Sequence, residues 1–144
     1  MSSHVLGNWV EHFPYQDGLL ISYWDSSFTD NNTVSHPGGG LILPIDAHPT
    51  ALLTPGGAPW RARVQAYDST FGFEPTDALT LHLFSTPLDI PSLPGVSVFD
   101  DLNSYWDPAA PLASVIVPQT GTQIRIQSIS AQNSFMQVQV RPSN

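Results

Sequence analysis

The chain has 144 residues, with twelve acidic and four basic side chains, a formal net charge of −8 and no cysteine. That excess of acid repels nucleic-acid phosphates and anionic membranes, and the lack of thiols excludes disulfides and zinc–thiolate sites. Hydrophobic residues at 41% against charged residues at 11% exclude a disordered chain and fit one β-rich domain over residues 1–144, with a core of its own.

In chain order, the start MSSHVLGNWVEHF has no basic n-region and no apolar h-region, so it does not read as a signal peptide. No stretch approaches the ~20 apolar residues of a membrane helix. GLLISYW at 18–24 and GLILPI at 40–45 are the first strand candidates, the second pushed toward a sheet edge by Pro44. RARVQAY at 61–67, DALTLHLF at 77–84 and ASVIVP at 113–118 follow. In DALTLHLF, Leu79, Leu81 and Leu83 alternate with Thr80 and His82, the period of a half-buried strand. The last segment has the plainest pattern. Ile124 and Ile126 alternate with Gln123, Arg125 and Gln127; after a turn near Gln132-Asn133, Met136, Val138 and Val140 alternate with Gln137, Gln139 and Arg141. Period-two alternation on both sides of a polar turn predicts a hairpin with one buried face. No segment holds a helical period for ten residues without Pro or Gly. The expected fold is all-β, an antiparallel sandwich or jelly-roll-like module with long Pro- and Gly-rich loops. The longest predicted loop runs over 85–111, anchored by Phe99, Tyr105 and Trp106.

The tetrapeptide SYWD occurs twice, at 22–25 and 104–107. Its flanks differ, so it is no structural repeat. Behind the first copy lies DSSFTDNN, where Asp25, Asp30, Asn31 and Asn32 offer four oxygen-bearing side chains. Calcium takes six to eight oxygens from such groups, so this loop is the candidate calcium site; the competing reading is that Asp and Asn close turns through their own main chain. DDLNSYWD, with Asp100, Asp101, Asn103 and Asp107, is a weaker candidate of the same kind. In IDAHP, Asp46 and His48 share a face at i and i+2 and could pair or bind a metal. A zinc site needs three or four protein ligands and a hydrolase needs a third polar group in the same cleft, so a surface Asp–His contact is the expected role. HPGGGL lacks the Lys-Ser/Thr of a phosphate loop, and no G-x-S-x-G elbow occurs. No catalytic residue is assigned. The tryptophans Trp9, Trp24, Trp60 and Trp106 read as packing residues before sugar-stacking ones.

The blocks WVEHFPYQDGLLISYWDSSFTDNNTVSHPGGGLILPIDAHP, PWRARVQAYDSTFGFEPTDALTLH, VFDDLNSYWDPAAPLASVIVP and GTQIRIQSISAQNSFMQVQV resemble the C-terminal part of the immune inhibitor A family of secreted zinc metallopeptidases. The resemblance runs through nearly the whole chain from Trp9. It implies a secreted, extracellular parent that holds zinc through H-E-x-x-H in a catalytic domain, which is absent from this sequence, and it also implies structural calcium in family members. The resemblance transfers no catalytic residue. The expected function is a non-catalytic C-terminal β-domain with a structural or substrate- or surface-binding role. Its expected partners are the catalytic domain of the same parent chain and a protein or cell-surface glycan, with no nucleic acid. The alternative is a free-standing calcium-dependent carbohydrate-binding β-sandwich.

Overall fold

The computed structural model describes residues 16–59, 68–83, 86–130 and 134–143. Among these the chain forms seven strands and no helix: β1 Ser22–Trp24, β2 Ile42–Pro44, β3 Leu79–Leu83, β4 Thr86–Ile90, β5 Val98–Asp100, β6 Thr122–Ile129 and β7 Met136–Pro142. The all-β expectation holds. Every strand pairing is antiparallel, in sheets ordered β1-β2, β3-β4 and β5-β6-β7. The predicted strand RARVQAY and the turn at Gln132-Asn133 lie outside the described residues.

The terminal hairpin forms as its alternation requires, with one adjustment. Ile124 faces Val140 and Ile126 faces Val138, but Gln127 is skipped by a bulge, so that Ser128 faces Gln137 and Ile129 faces Met136. Without the extra residue, Ile129 would point away from Ile124 and Ile126; the bulge returns it to the core face. Gln127 then donates its amide to Gln139 Oε1 at 2.9 Å on the solvent side.

Two expectations are corrected. The predicted loop 85–111 contains β4 and β5. Leu88 and Ile90 alternate with Pro87 and Asp89, and β4 folds back on β3 in a two-stranded ribbon whose free edge tolerates Pro87. The predicted strand ASVIVP joins no ladder. Pro118 lacks a donor, and the main chain is held by single bonds instead, such as Ile116 N–H to Gly38 O at 2.8 Å. Val115 still enters the core, so the apolar run recorded burial rather than pairing.

The core joins Leu43, Ile45 and Ala47 after β1-β2 to Phe71, Phe99, Tyr105, Val115 and Ile126. Phe71, Phe99 and Tyr105 pack as a trio with ring centroids 5.3–6.3 Å apart. Each such pair adds about 0.5–1.5 kcal/mol beyond the area it buries. Leu19 and Phe71 exchange main-chain hydrogen bonds at 2.8 and 2.9 Å, which ties the first strand to the segment after the undescribed residues 60–67.

The two SYWD copies diverge at their tryptophans. Tyr105 is buried in the trio, and its hydroxyl accepts the Asp100 N–H at 3.1 Å, whereas Trp106 donates Nε1–H to Pro111 O at 3.2 Å. In the first copy Tyr23 packs on the core, while Trp24, next along the strand and so on the opposite face, is 71% exposed. Both aspartates build the same turn: Asp25 Oδ1 accepts Ser27 N–H at 2.9 Å and Asp107 Oδ1 accepts Ala109 N–H at 2.8 Å.

Candidate functional site

Past β2 the chain runs through Ile45, Asp46 and Ala47, all buried, before His48. Asp46 Oδ1 accepts the His48 N–H at 2.8 Å, which turns the chain and swings the imidazole toward Asp68 and the 91–97 loop. The ring Nδ1 meets Asp68 O at 2.8 Å and Nε2 meets Pro94 O at 2.9 Å. A carbonyl oxygen only accepts, and a neutral imidazole has one N–H, so which of the two carbonyls receives it depends on the tautomer. Asp46 and Asp68 are 3% and 2% exposed, and one ligand atom from each of Asp46, His48 and Asp68 falls within 4.8 Å of the others. Burial pushes the Asp46 carboxyl well above the usual range, the like charge of Asp68 adds to this, and the His48 N–H bond opposes it.

Asp68 is therefore the third polar group that Asp46 and His48 required. No local pattern announces it, because it lies twenty positions after His48, beyond an undescribed segment. The trio is close enough to chelate a cation, yet both ring nitrogens lie against main-chain carbonyls. As folded, His48 is a clasp between three loops.

His48 also opens onto a cavity of about 650 Å³. Its lining is mixed in chemistry. Ile129, Phe135, Met136 and Phe73 supply the large apolar side chains of its lining, and Asp17, Glu74 and Asp77 the acidic ones. Phe73 and Phe135 are 47% and 68% exposed. The 73–77 wall is fixed to the 93–96 loop: Gly72 N–H bonds Val96 O at 2.9 Å, Thr76 N–H bonds Leu93 O at 2.9 Å, and Leu93 N–H bonds Thr76 Oγ1 at 2.8 Å. Gly95 permits the approach, since a Cβ there would lie 2.4 Å from Phe73 O. None of these wall residues was singled out in sequence. The only available signal was the density of aromatic and acidic residues in FGFEPTD.

The four candidate calcium ligands all lie in one exposed loop, and each uses a side-chain oxygen to close a main-chain turn or contact. Asp25 and Asp30 accept Ser27 and Asn32 N–H at 2.9 and 2.8 Å; Asn31 and Asn32 accept Ile42 and Val34 N–H at 2.7 and 3.1 Å. His36 Nε2 sits 3.6 Å from Asp30 Oδ1, with its ring 5.0 Å from Phe28.

At the second acidic stretch, the adjacent Asp100 and Asp101 diverge. Asp101 accepts Thr120 N–H and Oγ1–H at 2.9 and 2.6 Å through Oδ2, and Gly121 and Thr122 N–H at 3.1 and 2.9 Å through Oδ1. Asp100 accepts Gln123 Nε2–H and Ser143 Oγ–H, each at 2.8 Å, while Gln123 Oε1 takes the Arg141 Nε–H at 2.7 Å. Separate donors for each carboxylate resolve the repulsion expected of neighbouring acids.

Comparison with known proteins agrees with the family resemblance. The sequence model described as the VEG domain of immune inhibitor A-like metallopeptidases matches residues 2–138. The chain is 31% identical over 125 residues to immune inhibitor A of Bacillus thuringiensis subsp. alesti, across 83% of this chain and 18% of that protein. It is 30% identical over 123 residues to the pre-pro-metalloprotease PrtV of Vibrio cholerae serotype O1 strain M66-2, across 84% of this chain and 13% of that protein. The chain thus spans less than a fifth of either relative's length. By a match that runs through all but its last few residues, the chain belongs to the VEG-domain family of immune inhibitor A-like metallopeptidases.

Proposed function

We propose that this chain is a non-catalytic β-domain of a secreted zinc metallopeptidase, packing against the catalytic part of the same polypeptide and offering a surface to substrate. The observation that carries this reading is a family match over residues 2–138 in a sequence with no H-E-x-x-H. The described histidines support it. His48 lies against two carbonyls, and His36 against Phe28 and Asp30. The larger peptidases among its relatives supply the kind of partner the packing role requires. In a peptide-cleavage assay with added zinc, the purified chain is expected to be inactive. Chelator-sensitive cleavage that copurifies with the chain overturns the reading. The carbohydrate-module alternative is not carried forward, because the family match accounts for the same loops.

For the loop holding Asp25, Asp30, Asn31 and Asn32 we propose structural calcium, supported by four oxygen-bearing side chains in one exposed turn region. A ligand bound only by the folded state stabilises it by about 2.7 kcal/mol at a hundredfold excess over Kd. A melting temperature that rises with calcium, and no longer does so in Asp30→Ala, is the expected result; an unchanged melt overturns it.

A further inference from the structure

We infer that the cavity beside His48 is a receptor for a polypeptide segment that presents an arginine or lysine next to an apolar side chain. The inference deepens the non-catalytic, substrate-presenting reading and rests on it. About 650 Å³ is a volume that encloses a large side chain and part of its neighbour. The two kinds of lining call for one kind of occupant. Asp17, Glu74 and Asp77 attract a cation, while Phe73, Phe135, Ile129 and Met136 exclude a small hydrated ion and favour an aliphatic stem. The exposed rings of Phe73 and Phe135 add cation–π attraction, strongest for guanidinium.

The described chain does not supply that cation to itself. Among the described residues no basic one lines the cavity apart from His48, whose ring nitrogens lie against Asp68 O and Pro94 O. The sequence has no lysine, and the two described arginines, Arg125 and Arg141, are not among the lining residues. The site is also preorganised. The Thr76–Leu93 and Gly72–Val96 hydrogen bonds hold the 73–77 segment in place, so little order must be gained on binding.

The test titrates the full chain with acetyl-Leu-Arg-amide and with acetyl-Leu-citrulline-amide, which keeps the shape and removes the charge. Binding is followed by calorimetry and by NMR shifts of Phe73, Glu74 and Phe135, with the peptide checked for cleavage afterwards. The arginine peptide is expected to saturate these shifts and to bind at least about tenfold more tightly than the citrulline peptide. Glu74→Gln with Asp77→Asn is expected to remove that preference. Phe73→Ala is expected to weaken both peptides, and both variants should keep the wild-type melting temperature. Equal binding of the two peptides, binding of neither, or tighter binding of calcium alone at the same residues overturns the receptor. Cleavage of the peptide overturns the non-catalytic reading instead, so the two failures are distinguishable.

Discussion

Asp101 shows how one buried carboxylate closes a loop. Burial alone would raise its pKa, but the bonds from the Thr120 side chain and from the main chain of Thr120, Thr122 and Gly121 outweigh burial and hold it below the usual range. The direction fixes the pH response. A carboxyl depressed in the folded state contributes stability in full above its unfolded value, about 4, and loses it as pH falls through the folded value. Asp101→Asn is therefore expected to melt lower than wild type at neutral pH, also because an amide NH2 would confront the donors at Thr120. As pH falls below about 4 the two melting curves should begin to approach each other, and they should meet only below the folded value. Melting temperatures measured from pH 7 downward decide this, and a constant gap between the two proteins shows that Asp101 does not act through its charge. Asp46 has the opposite sign, since its carboxyl is raised, and its contribution improves as pH falls.

Among the connecting segments, HPGGGL illustrates why glycine clusters mislead. It is rich in glycine but lacks the Lys-Ser/Thr of a phosphate loop, and its glycines serve close packing. Gly38 has φ +78°, and a Cβ on it would lie 2.6 Å from Ile116 Cγ1 and 2.8 Å from Trp106 Nε1. Gly57 has nearly the same backbone, φ +82°, with nothing within 4 Å of its Cβ position. Gly57→Ala is expected to lose about 1 kcal/mol, the cost of a left-handed alanine. Gly38→Ala adds displacement of Ile116 and Trp106 and is expected to lose roughly 2–4 kcal/mol. Urea unfolding of both variants separates the backbone cost from the packing cost, and equal losses would show that the Ile116 contact yields freely.

At the scale of the molecule, the β5-β6-β7 sheet ends on β7, which among the described residues pairs only with β6. Val138 and Val140 lie on the same face as Ile126 and Ile124, yet Val140 is 67% exposed. The core face thus continues beyond what the described residues cover, and an uncovered strand with an apolar face is a site for packing against another part of a chain. The isolated protein is expected to bind a hydrophobic dye and to self-associate as concentration rises, and Val140→Lys is expected to reduce both. A monomer without dye binding at high concentration would remove this face as the packing surface for the parent peptidase.

Local chemistry was legible wherever it depended on spacing. Alternation in TQIRIQ and MQVQV determined a hairpin and its apolar face, which β6 buries and β7 leaves exposed at Val138 and Val140; the scarcity of helical periods determined the all-β class, and long idiosyncratic blocks determined the family. Tertiary structure decided whatever depended on residues distant in sequence. It placed Asp68 beside His48 across twenty positions, brought Phe73, Glu74 and Asp77 to one cavity with Phe135, and left Trp24 in solvent while Tyr105 entered the core. It also placed strands where prolines had suggested a loop, because a two-stranded ribbon leaves Pro87 an edge that needs no donor. Periodicity records which side of a segment is buried; which segments meet, and which groups share a cavity, is fixed only when the core closes.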